Sequence, residues 1–469
     1  MSLPNTHLGY EKIKNLLSGC HSVFFIGIGG INMSSLALMT AQRGFRVAGS
    51  DRMRTAITEE LEKEGIIVFY AHNAENVKDF DAVVYTVAIP EDNPEYIAAK
   101  NRGVPIISRA DYLGYIMCAY GTRIGVCGMH GKSTTTSMLA EVFIDNGMSP
   151  TVMCGAEVGR IGGAYCLGQG DNFIFEACEY KDSFLDFYPN IAVVLNIEPE
   201  HMDYFKDLDH IKRSFAEFVS KCGKDGVAVI NADDENVMQA IPTTGVRTVT
   251  FGLSENADYR AKNITHKNGG AEFDLFVKGK ERCRVRLPVV GVHNVMNCLP
   301  SFAVADICGL SADAVAESLS SFKGAARRMQ FKGKFRSCDV FDDYAHHPTE
   351  VKASLLGAKN MGYGRTVCVF QPHTFSRLHA FYSELVSALD EADLVIMADV
   401  YAAREVNVYG VTSADVAKSL GTKGRYGTSL DQIKDILSEE LSDGDLLIVM
   451  GAGDIYKLFD LIIDNNNKK

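Results

Sequence analysis

The chain has 469 residues, of which 46% are hydrophobic and 23% are charged, and its net charge at pH 7 is −12. These values are typical of a globular protein of about three domains, and they exclude extended disorder and collagen-like folds. The acidic balance argues against a broad basic surface, so we expect no nucleic-acid partner and anion binding only in local pockets.

The sequence also shows no sign of a membrane or secreted protein. No run approaches the ~20 apolar residues that span a bilayer, and the polar N-terminus has no hydrophobic signal segment. The twelve cysteines lie mostly in apolar runs without CxxC pairs, which favours buried free thiols over disulfides or a zinc site. We therefore expect a cytoplasmic protein without membrane insertion.

Apolar β-rich runs alternate with helical patterns along most of the chain, which indicates an α/β protein with parallel sheets. The first predicted domain, residues 1–120, is Rossmann-like, with a helix at 32–42 and strands at 23–28, 46–49, 82–89 and 104–107. The second, residues 121–325, has a parallel sheet with strands at 123–127, 173–175, 191–195 and 226–230, a small antiparallel insert at 246–290 and a helix at 293–308. The third, residues 326–469, is a further Rossmann-like α/β domain, with strands at 339–341, 366–370, 394–398 and 446–449.

The strongest motif is GMHGKSTTT at residues 128–136, which follows a predicted strand and opens a helix. Backbone N–H groups in such a turn converge on phosphate oxygens, and the helix N-terminus adds positive potential. The loop is two residues tighter than the common G-x-x-x-x-G-K-[ST] motif, because Val126 stands where that motif has glycine. The motif predicts a nucleotide-binding P-loop formed by Gly128, His130, Gly131, Lys132, Ser133 and Thr134.

Two polar loops follow the next strands of the same predicted sheet. Glu176 opens the run EACEYKDSF, and His201 lies in LNIEPEHMD. An acidic loop or a single histidine is usually structural, but carboxylates beside a P-loop are well placed to hold Mg²⁺. The three loops together favour a catalytic site in which Glu176 binds metal and His201 is a ligand or an orienting group.

The first and third domains carry their own strand-end loops. Residues 27–34, GIGGINMS, resemble the dinucleotide fingerprint with Asp51 downstream, but Asn32 replaces its third glycine. This is weak evidence for NAD and better evidence for a glycine turn that packs against some diphosphate. In the third domain, DDYAHHP at 342–348 and QPHTFSR at 371–377 follow strands, where open α/β sheets build their sites.

Together these motifs resemble the Mur ligases over about residues 20–455. The resemblance implies a UDP-sugar-binding domain, a central ATPase domain and a C-terminal domain that closes on nucleotide and amino acid. The branch it resembles most joins L-alanine to the lactyl carboxylate of UDP-N-acetylmuramate, with ATP and two Mg²⁺ ions, through an acyl phosphate in peptidoglycan precursor synthesis. Ala216 stands where several relatives carry a carbamylated lysine, so we expect no carbamate there.

The resemblance also implies roles for individual residues. The catalytic residues would be Lys132, Glu176, His201 and Arg328. Ser133 and Glu176 would hold the first Mg²⁺, and His201 would lie near the second. The nucleotide would contact the P-loop together with Asn294, Arg328 and Asp343. The UDP-sugar would contact Gly29, Gly30, Asn32, Met33, Ser34, Asp51, His72 and Arg109. In the third domain the substrate contacts would be His346, His373 and Arg377, the last two holding the amino acid's carboxylate.

Three other interpretations compete with this one. A murein tripeptide ligase uses the same UDP-sugar with a peptide as nucleophile. An NAD-dependent dehydrogenase would use residues 27–30 and Asp51 but leave the Lys132 loop unexplained. A non-catalytic nucleotide-binding regulator would not need the clusters at Glu176, His201 and Asp343. We expect only small-molecule substrates as partners, and either a monomer or a homodimer.

Overall fold

The computed structural model describes residues 3–202, 204–267, 270–324, 327–403 and 405–463. The chain divides into two compact units, residues 1–259 with 300–310, and residues 260–299 with 311–469. The predicted boundary at 120 therefore lies within the first unit and the boundary at 325 within the second. The three domain ranges stay predictions.

The first sheet of the first unit has five parallel strands. Its strands are β1 (Ser22–Ile26), β2 (Arg46–Ser50), β3 (Ile67–Phe69), β4 (Ala82–Tyr85) and β5 (Ile106–Ser108), and the helices are α1 (Tyr10–Leu16), α2 (Ile31–Gln42), α3 (Ala56–Lys63), α4 (Pro94–Arg102) and α5 (Arg109–Met117). The strand order is β3-β2-β1-β4-β5. The order reverses between β1 and β4, which places a ligand crevice at the loop that follows β1.

The second sheet of this unit carries the P-loop. Its strands are β6 (Thr122–Cys127), β7 (Thr151–Val158), β8 (Gly163–Cys166), β9 (Asn172–Glu176), β10 (Ile191–Val194), β11 (Val227–Asn231) and β12 (Arg247–Gly252), and its helices are α6 (Lys132–Asp145), α7 (Leu208–Ser220) and α8 (Glu235–Ala240). The order is β12-β11-β10-β6-β9-β7-β8, and β8 alone among these pairs antiparallel, with β7. Because β6 lies between β9 and β10, the loops after these three strands meet at one edge.

This arrangement corrects one sequence-based expectation. Residues 246–290 were expected to form an antiparallel insert, but β12 pairs parallel with β11 and extends the parallel sheet. Alternating polar and apolar residues show that one face of a strand is buried, and they do not fix the direction of its partner. The insert is confined to the strands that follow β12.

The second unit holds that insert and the third domain. The insert strands are β13 (Tyr259–Lys267), β14 (Gly270–Val277) and β15 (Lys280–Leu287), followed by the helices α9 (Val292–Ile307) and α10 (Ala312–Leu319). β14 and β15 form an antiparallel hairpin, and the Cys283 thiol on β15 contacts the carbonyl oxygen of Ala312 at 3.9 Å, at the start of α10. α9 contains Pro300, where the chain passes from the second unit back to the first.

The third domain is a six-stranded sheet. Its strands are β16 (Gln330–Phe335), β17 (Cys338–Asp343), β18 (Arg365–Phe370), β19 (Leu394–Ala398), β20 (Gly424–Gly427) and β21 (Asp445–Met450), and its helices are α11 (Pro348–Lys359), α12 (Phe375–Ala380), α13 (Tyr382–Leu389), α14 (Ser413–Ser419), α15 (Leu430–Glu440) and α16 (Phe459–Ile462). The order is β16-β17-β21-β18-β19-β20. β16 pairs antiparallel with β17, and the other pairs are parallel. The loops after β17, β18 and β21 therefore share one edge.

The N-terminal segment, residues 3–9, joins the first two domains. The Asp111 carboxylate on α5 accepts hydrogen bonds from the Thr6 hydroxyl at 2.7 Å and from the backbone N–H of Gly9 at 3.1 Å. His7 Nδ1 lies 2.7 Å from the Asp186 carboxylate of the central domain. Asp111 and Asp186 are both buried, so the segment bridges two interior carboxylates.

All twelve cysteines are free thiols, as predicted, but only six of them are buried: five are half-buried and Cys178 is exposed. Among the described residues, no helix is both long and apolar enough to cross a bilayer.

Candidate active site

The P-loop connects β6 to α6 through two glycines with positive φ. Gly128 has φ 144° and Gly131 has φ 84°, conformations that other residues adopt rarely. A Cβ at Gly128 would lie 2.9 Å from Leu195 Cβ on the neighbouring strand, so the loop packs tightly against β10. No described side chain caps the N-terminus of α6, which leaves its first N–H groups directed at a ligand position.

Lys132 forms the centre of the site with all three of its ammonium hydrogens used. Its Nζ donates to the carbonyl oxygens of Gly128 at 2.6 Å and Met129 at 3.1 Å and to Glu179 Oε1 at 3.3 Å, and it lies 3.0 Å from Glu179 Oε2. Burial alone would lower the pKa of Lys132, but Glu179, with Cys178 and Glu176, outweighs it and holds the pKa above its usual value. Lys132 is therefore a fixed positive charge at the edge of the sheet.

Glu179 links Lys132 to His201. The carboxylate is 1% exposed, and its Oε1 lies 3.2 Å from His201 Nε2. Burial raises the pKa of Glu179, but the Lys132 charge and the His201 hydrogen bond have the larger, opposite effect. The pKa therefore lies below its usual value and the group stays ionised. His201 has φ 54°, and its ring packs against Tyr180 with centroids 4.8 Å apart. We did not single out Glu179 from the sequence, although it lies in the acidic loop.

Glu176 and Ser133 form the second polar pair of the site. Ser133 Oγ donates to Glu176 Oε2 at 2.8 Å, and the same oxygen accepts the Gly155 N–H at 2.8 Å. A Cβ at Gly155 would lie 2.8 Å from this carboxylate, so a larger residue there would require the Glu176 carboxylate to move. The structure thus brings Ser133, Lys132, Glu176 and His201 to one edge, as the sequence predicted.

Asn196 holds the P-loop from the end of β10. Its Oδ1 accepts the His130 N–H at 2.8 Å and its Nδ2 donates to the His130 carbonyl at 3.0 Å. The backbone carbonyl of Asn196 also accepts the Met129 N–H at 3.3 Å. The His130 imidazole faces Glu198, with Nε2 3.6 Å from Oε2. Asn196 was not predicted, and its place immediately after a strand beside β6 is the signal that could have found it.

The glycine loop of the first domain is bound to Asp51. Gly29 N–H donates to Asp51 Oδ2 at 2.9 Å, and a Cβ at Gly29 would lie 2.7 Å from that oxygen. The Gly27 and Ile28 N–H groups both donate to the Ser50 carbonyl. The loop, with Gly30 and Asn32 at the start of α2, therefore lies against the end of β2.

Two other predicted residues of this domain lie deeper, and a third, Arg109, is half-buried. Met33 and Ser34 are buried on α2, and Ser34 Oγ donates to the Ile31 carbonyl of its own helix at 2.8 Å. Arg109 is the first residue of α5, and burial lowers its pKa against the opposing effect of Cys178 and Asp186. The structure therefore brings Gly29, Gly30 and Asp51 together and keeps the Met33 and Ser34 side chains in the interior.

His72 belongs to a network that the sequence did not reveal. Its Nδ1 lies 2.7 Å from Glu95 Oε2, and the same oxygen accepts the Ser50 hydroxyl at 2.6 Å. Glu95 Oε1 accepts from Asn76 Nδ2 at 2.7 Å. Glu95 lies in the first turn of α4, where helix periodicity alone gives no reason to expect a buried carboxylate.

In the second unit, Asp343 is a buried carboxylate at the end of β17. It accepts the N–H groups of Met329 at 3.1 Å and Ala345 at 2.8 Å and the Ser354 hydroxyl at 3.0 Å. Burial raises its pKa to about 6, against the lowering effect of Arg328. Asp343 thus organises the strand end from within its own domain.

Arg328 and His346 meet at Glu350 of α11. Arg328 Nη1 lies 3.4 Å from Glu350 Oε1, and His346 Nδ1 lies 3.5 Å from Oε2. The Arg328 guanidinium also lies over the Tyr344 ring, 5.6 Å from its centroid. These contacts place a cation and a histidine beside the loop that follows β17.

His373 and Arg377 form a second pair in the loop after β18. Arg377 Nη1 lies 3.2 Å from His373 Nδ1, and the His373 ring stacks on Tyr401 with centroids 5.5 Å apart. The His346 and His373 rings lie 6.0 Å apart. The three predicted third-domain contacts are thus brought together, and Tyr401 is an addition that the sequence did not indicate.

Asn294 lies in the first turn of α9, where its side-chain Nδ2 donates to the Val290 carbonyl at 2.7 Å. The neighbouring His293 is packed against Gly291, whose Cβ position would lie 2.5 Å from its ring. Burial, with the nearby Arg328 charge, lowers the pKa of His293 to about 4. Its imidazole is therefore neutral near pH 7.

Comparison with known proteins identifies the family. Three family models match: "Mur ligase family, catalytic domain" at residues 22–121, "Mur ligase middle domain" at 126–305 and "Mur ligase, glutamate ligase domain" at 327–453. The UDP-N-acetylmuramate–L-alanine ligase of Clostridium perfringens (strain 13 / Type A) is 40% identical over 97% of this chain and 100% of that protein. The enzyme of the same name from Caldanaerobacter subterraneus subsp. tengcongensis is 42% identical over 95% of this chain and 98% of that protein.

Solved structures agree with these relatives. The UDP-N-acetylmuramate-alanine ligase of Thermotoga maritima superimposes with a TM-score of 0.78 at 30% identity, covering 94% of this chain and 98% of that chain. A murein peptide ligase from Psychrobacter arcticus 273-4 shares the fold, with a TM-score of 0.69 at 23% identity and coverages of 94% and 98%. The resemblance seen in the motifs is confirmed, and the chain belongs to the Mur ligase family.

Proposed function

We propose that this protein joins L-alanine to the lactyl carboxylate of UDP-N-acetylmuramate and converts ATP to ADP and phosphate. The observation that carries the proposal is the meeting of Lys132, Ser133, Glu176 and His201 at one sheet edge, in a chain about 40% identical to ligases named for this reaction. Family membership leaves no basis for the NAD-dependent dehydrogenase or the non-catalytic regulator.

The oxygen donors of the site suit a magnesium ion. Ser133 Oγ and Glu176 Oε2 lie 2.8 Å apart beside the P-loop, and hydroxyl and carboxylate oxygens are ligands that Mg²⁺ prefers. We propose that this pair holds the ion that accompanies ATP, and that His201 lies near a second ion. Bound there, Mg²⁺ would neutralise negative charge on the phosphate oxygens.

The chemistry that Lys132 serves is phosphoryl transfer. An oxygen of the substrate carboxylate attacks the γ-phosphorus, the bond to the β,γ-bridging oxygen breaks, and ADP leaves. The neutral amine of L-alanine then attacks the acyl carbon, the bond from that carbon to the phosphate oxygen breaks, and a proton leaves the nitrogen. In the first step Lys132 offsets charge on the moving phosphoryl group, which is the main contribution a protein makes to such reactions.

The remaining assignments follow the family resemblance and stay predictions. The proposed nucleotide contacts are Gly128, His130, Gly131, Thr134, Asn294, Arg328 and Asp343. The proposed UDP-sugar contacts are Gly29, Gly30, Asn32, Met33, Ser34, Asp51, His72 and Arg109, and the third-domain substrate contacts are His346, His373 and Arg377. We also propose a cytoplasmic location and a monomer or homodimer.

The direct test is ADP release with UDP-N-acetylmuramate and each amino acid in turn, together with the mass of the product. The proposal expects rapid turnover with L-alanine and a product heavier by one alanyl residue. ADP release with L-alanyl-γ-D-glutamyl-diaminopimelate and none with L-alanine would instead identify a murein tripeptide ligase. The fold is shared with a murein peptide ligase, which makes this the relevant alternative.

A further inference from the structure

A fully buried carboxylate lies next to the glycine loop of the first domain, and no step of the proposed reaction uses it. Glu95 is 0% exposed, and it enters the interior from the first turn of α4. An ionised carboxylate in such a place is costly unless hydrogen bonds compensate for the lost water. Its partners therefore show what holds it there.

Three side chains donate to this carboxylate. Oε2 accepts the Ser50 hydroxyl at 2.6 Å and His72 Nδ1 at 2.7 Å, and Oε1 accepts Asn76 Nδ2 at 2.7 Å. Asn76 Nδ2 also donates to the Ala71 carbonyl at 2.9 Å, which fixes the backbone next to His72. The carboxylate thus holds the end of β2 and the loop after β3 together.

The network continues into the glycine loop. The Ser50 carbonyl accepts the N–H groups of Gly27 at 2.8 Å and Ile28 at 2.9 Å. The adjacent Asp51 accepts the Gly29 N–H at 2.9 Å. Glu95, His72 and the loop are therefore one connected set of hydrogen bonds at the carboxyl edge of the sheet, where open α/β sheets bind their ligands.

We propose that Glu95 is a positioning residue for the nucleotide-sugar, which it serves by holding the His72 ring with Nε2 presented to the ligand. An ionised carboxylate can only accept, so Nδ1 of His72 must carry the proton. A histidine bound in this way has one orientation and one free ring nitrogen for a further partner. The inference rests on the proposed function, because the ligand it names is the nucleotide-sugar substrate of that function.

The protonation of Nδ1 can be measured without any variant. In ¹⁵N-labelled wild-type protein, the His72 ring signals, assigned by their absence in His72→Gln, should show a protonated Nδ1. A bare Nδ1 with the proton on Nε2 would overturn the proposal, because Glu95 could then not hold the ring.

Glu95→Gln tests the consequence for binding. The amide keeps the shape but replaces one acceptor oxygen by a donor, so it cannot satisfy all three partners. We expect the KM and Kd for UDP-N-acetylmuramate to rise about tenfold or more, with the ATP KM and the saturated kcat within about twofold. If Glu95 acts through His72, adding Glu95→Gln to His72→Gln should cost no further affinity.

Asp81→Asn is the matched control at the opposite edge of the same sheet. Asp81 Oδ2 also accepts three hydrogen bonds, from the N–H groups of His21 and Ser22 and the Ser22 hydroxyl, at 2.8–2.9 Å. This variant should lower the Tm without changing affinity for the UDP-sugar. If Glu95 only supports the fold, Glu95→Gln should likewise lower the Tm and leave the affinity for the UDP-sugar unchanged.

The outcomes separate the two proposals. Wild-type protein that binds no UDP-N-acetylmuramate would overturn the proposed function. Wild-type protein that binds it, with equal binding by folded Glu95→Gln, would overturn the positioning role alone. The positioning role would also be overturned if the losses of affinity in Glu95→Gln and His72→Gln added up in the double variant.

Discussion

Lys132 is the residue on which the proposed phosphoryl transfer depends most. Glu179 and two loop carbonyls hold its ammonium group in place. We expect Lys132→Ala to lower kcat by about 10³-fold or more, the scale of losing one preorganised electrostatic donor. UDP-N-acetylmuramate affinity should survive, because that ligand is assigned to the first domain. Retention of more than a tenth of wild-type turnover would contradict the assignment.

Glu176 and His201 differ in the step at which they act. Glu176 holds Ser133, so Glu176→Ala should weaken binding of the ATP–Mg²⁺ complex itself. His201 contacts Glu179 and Tyr180, and a second Mg²⁺ near it would neutralise charge that develops only during transfer. His201→Ala should therefore leave the ATP Kd within a few-fold while kcat falls about 10²-fold. Calorimetry and steady-state kinetics measure both quantities.

His210→Ala is the control for the histidine. Its ring packs against Tyr204 and Phe205 nearby on the chain but has no assigned role. This variant should lower the Tm and leave turnover per folded molecule unchanged. If His201→Ala behaves in the same way, His201 is structural and the two-metal assignment is wrong.

At the scale of elements, Asn196 connects two neighbouring strands through the P-loop. Asn196→Leu removes both hydrogen bonds to the His130 backbone, each worth about 1 kcal/mol. We expect the ATP Kd to rise about tenfold, measured by titration with ATP–Mg²⁺. Asn231→Leu is the matched control, since its amide donates to the Leu195 carbonyl at 2.9 Å but does not touch the loop. Equal effects of the two variants on ATP affinity would show that the hydrogen bonds between Asn196 and the His130 backbone do not contribute to nucleotide binding.

The sequence predicted those parts of the site that lie directly after long apolar strands. Lys132 and His201 come after β6 and β10, and Glu176 is the last residue of β9. The carboxyl ends of parallel strands lie at one edge of the sheet. Asn196 and Glu95 could not be found in this way. Asn196 matters because β10 lies beside β6, and Glu95 meets Ser50 from 45 residues away; both depend on the order of strands, which local patterns do not encode.

The prediction of the fold was also limited to features that local sequence patterns encode. The buried apolar strands and the α/β alternation were recognised, whereas β3, β7, β8, β16 and β20 were missed. Length does not explain this, because the three-residue strand β5 was predicted. The strands β3, β8, β16 and β20 are only partly buried, so they lack the continuous apolar run that marks an interior strand. The antiparallel pairing predicted for β12 was wrong, because the direction of pairing depends on a partner strand elsewhere in the chain.

At the scale of the molecule, the bridge between the first two domains makes stability depend on pH. Burial, with the neighbouring Asp111, raises the pKa of Asp186 from 3.8 to about 6 in spite of His7. Its contribution to stability is fully present below pH 3.8, where both folded and unfolded chains carry the proton, and is lost as the pH rises through 6. Wild type therefore retains a buried ionised carboxylate at neutral pH.

Asp186→Asn removes this titration. The free energy of unfolding of the variant relative to wild type should rise by about 2 kcal/mol between pH 4.5 and pH 8, as measured by denaturant unfolding at both values. His7 Nδ1 can still donate to the amide oxygen. A relative stability that is the same at both pH values would show that Asp186 ionises normally in the folded protein.

The hydrogen bonds of Lys132 also set how fast nucleotide can be captured. An ammonium group has three hydrogens, and those of Lys132 are donated to the Gly128 and Met129 carbonyls and to Glu179 Oε1. A phosphate oxygen must therefore displace one of these acceptors. Nucleotide then binds in two steps, a diffusional encounter followed by a rearrangement of the Lys132 contacts. In stopped-flow mixing with a fluorescent ATP analogue, the observed rate should level off at high nucleotide concentration instead of rising linearly. Glu179→Gln, which removes the negative charge from the one ionic contact among the three, should raise that plateau.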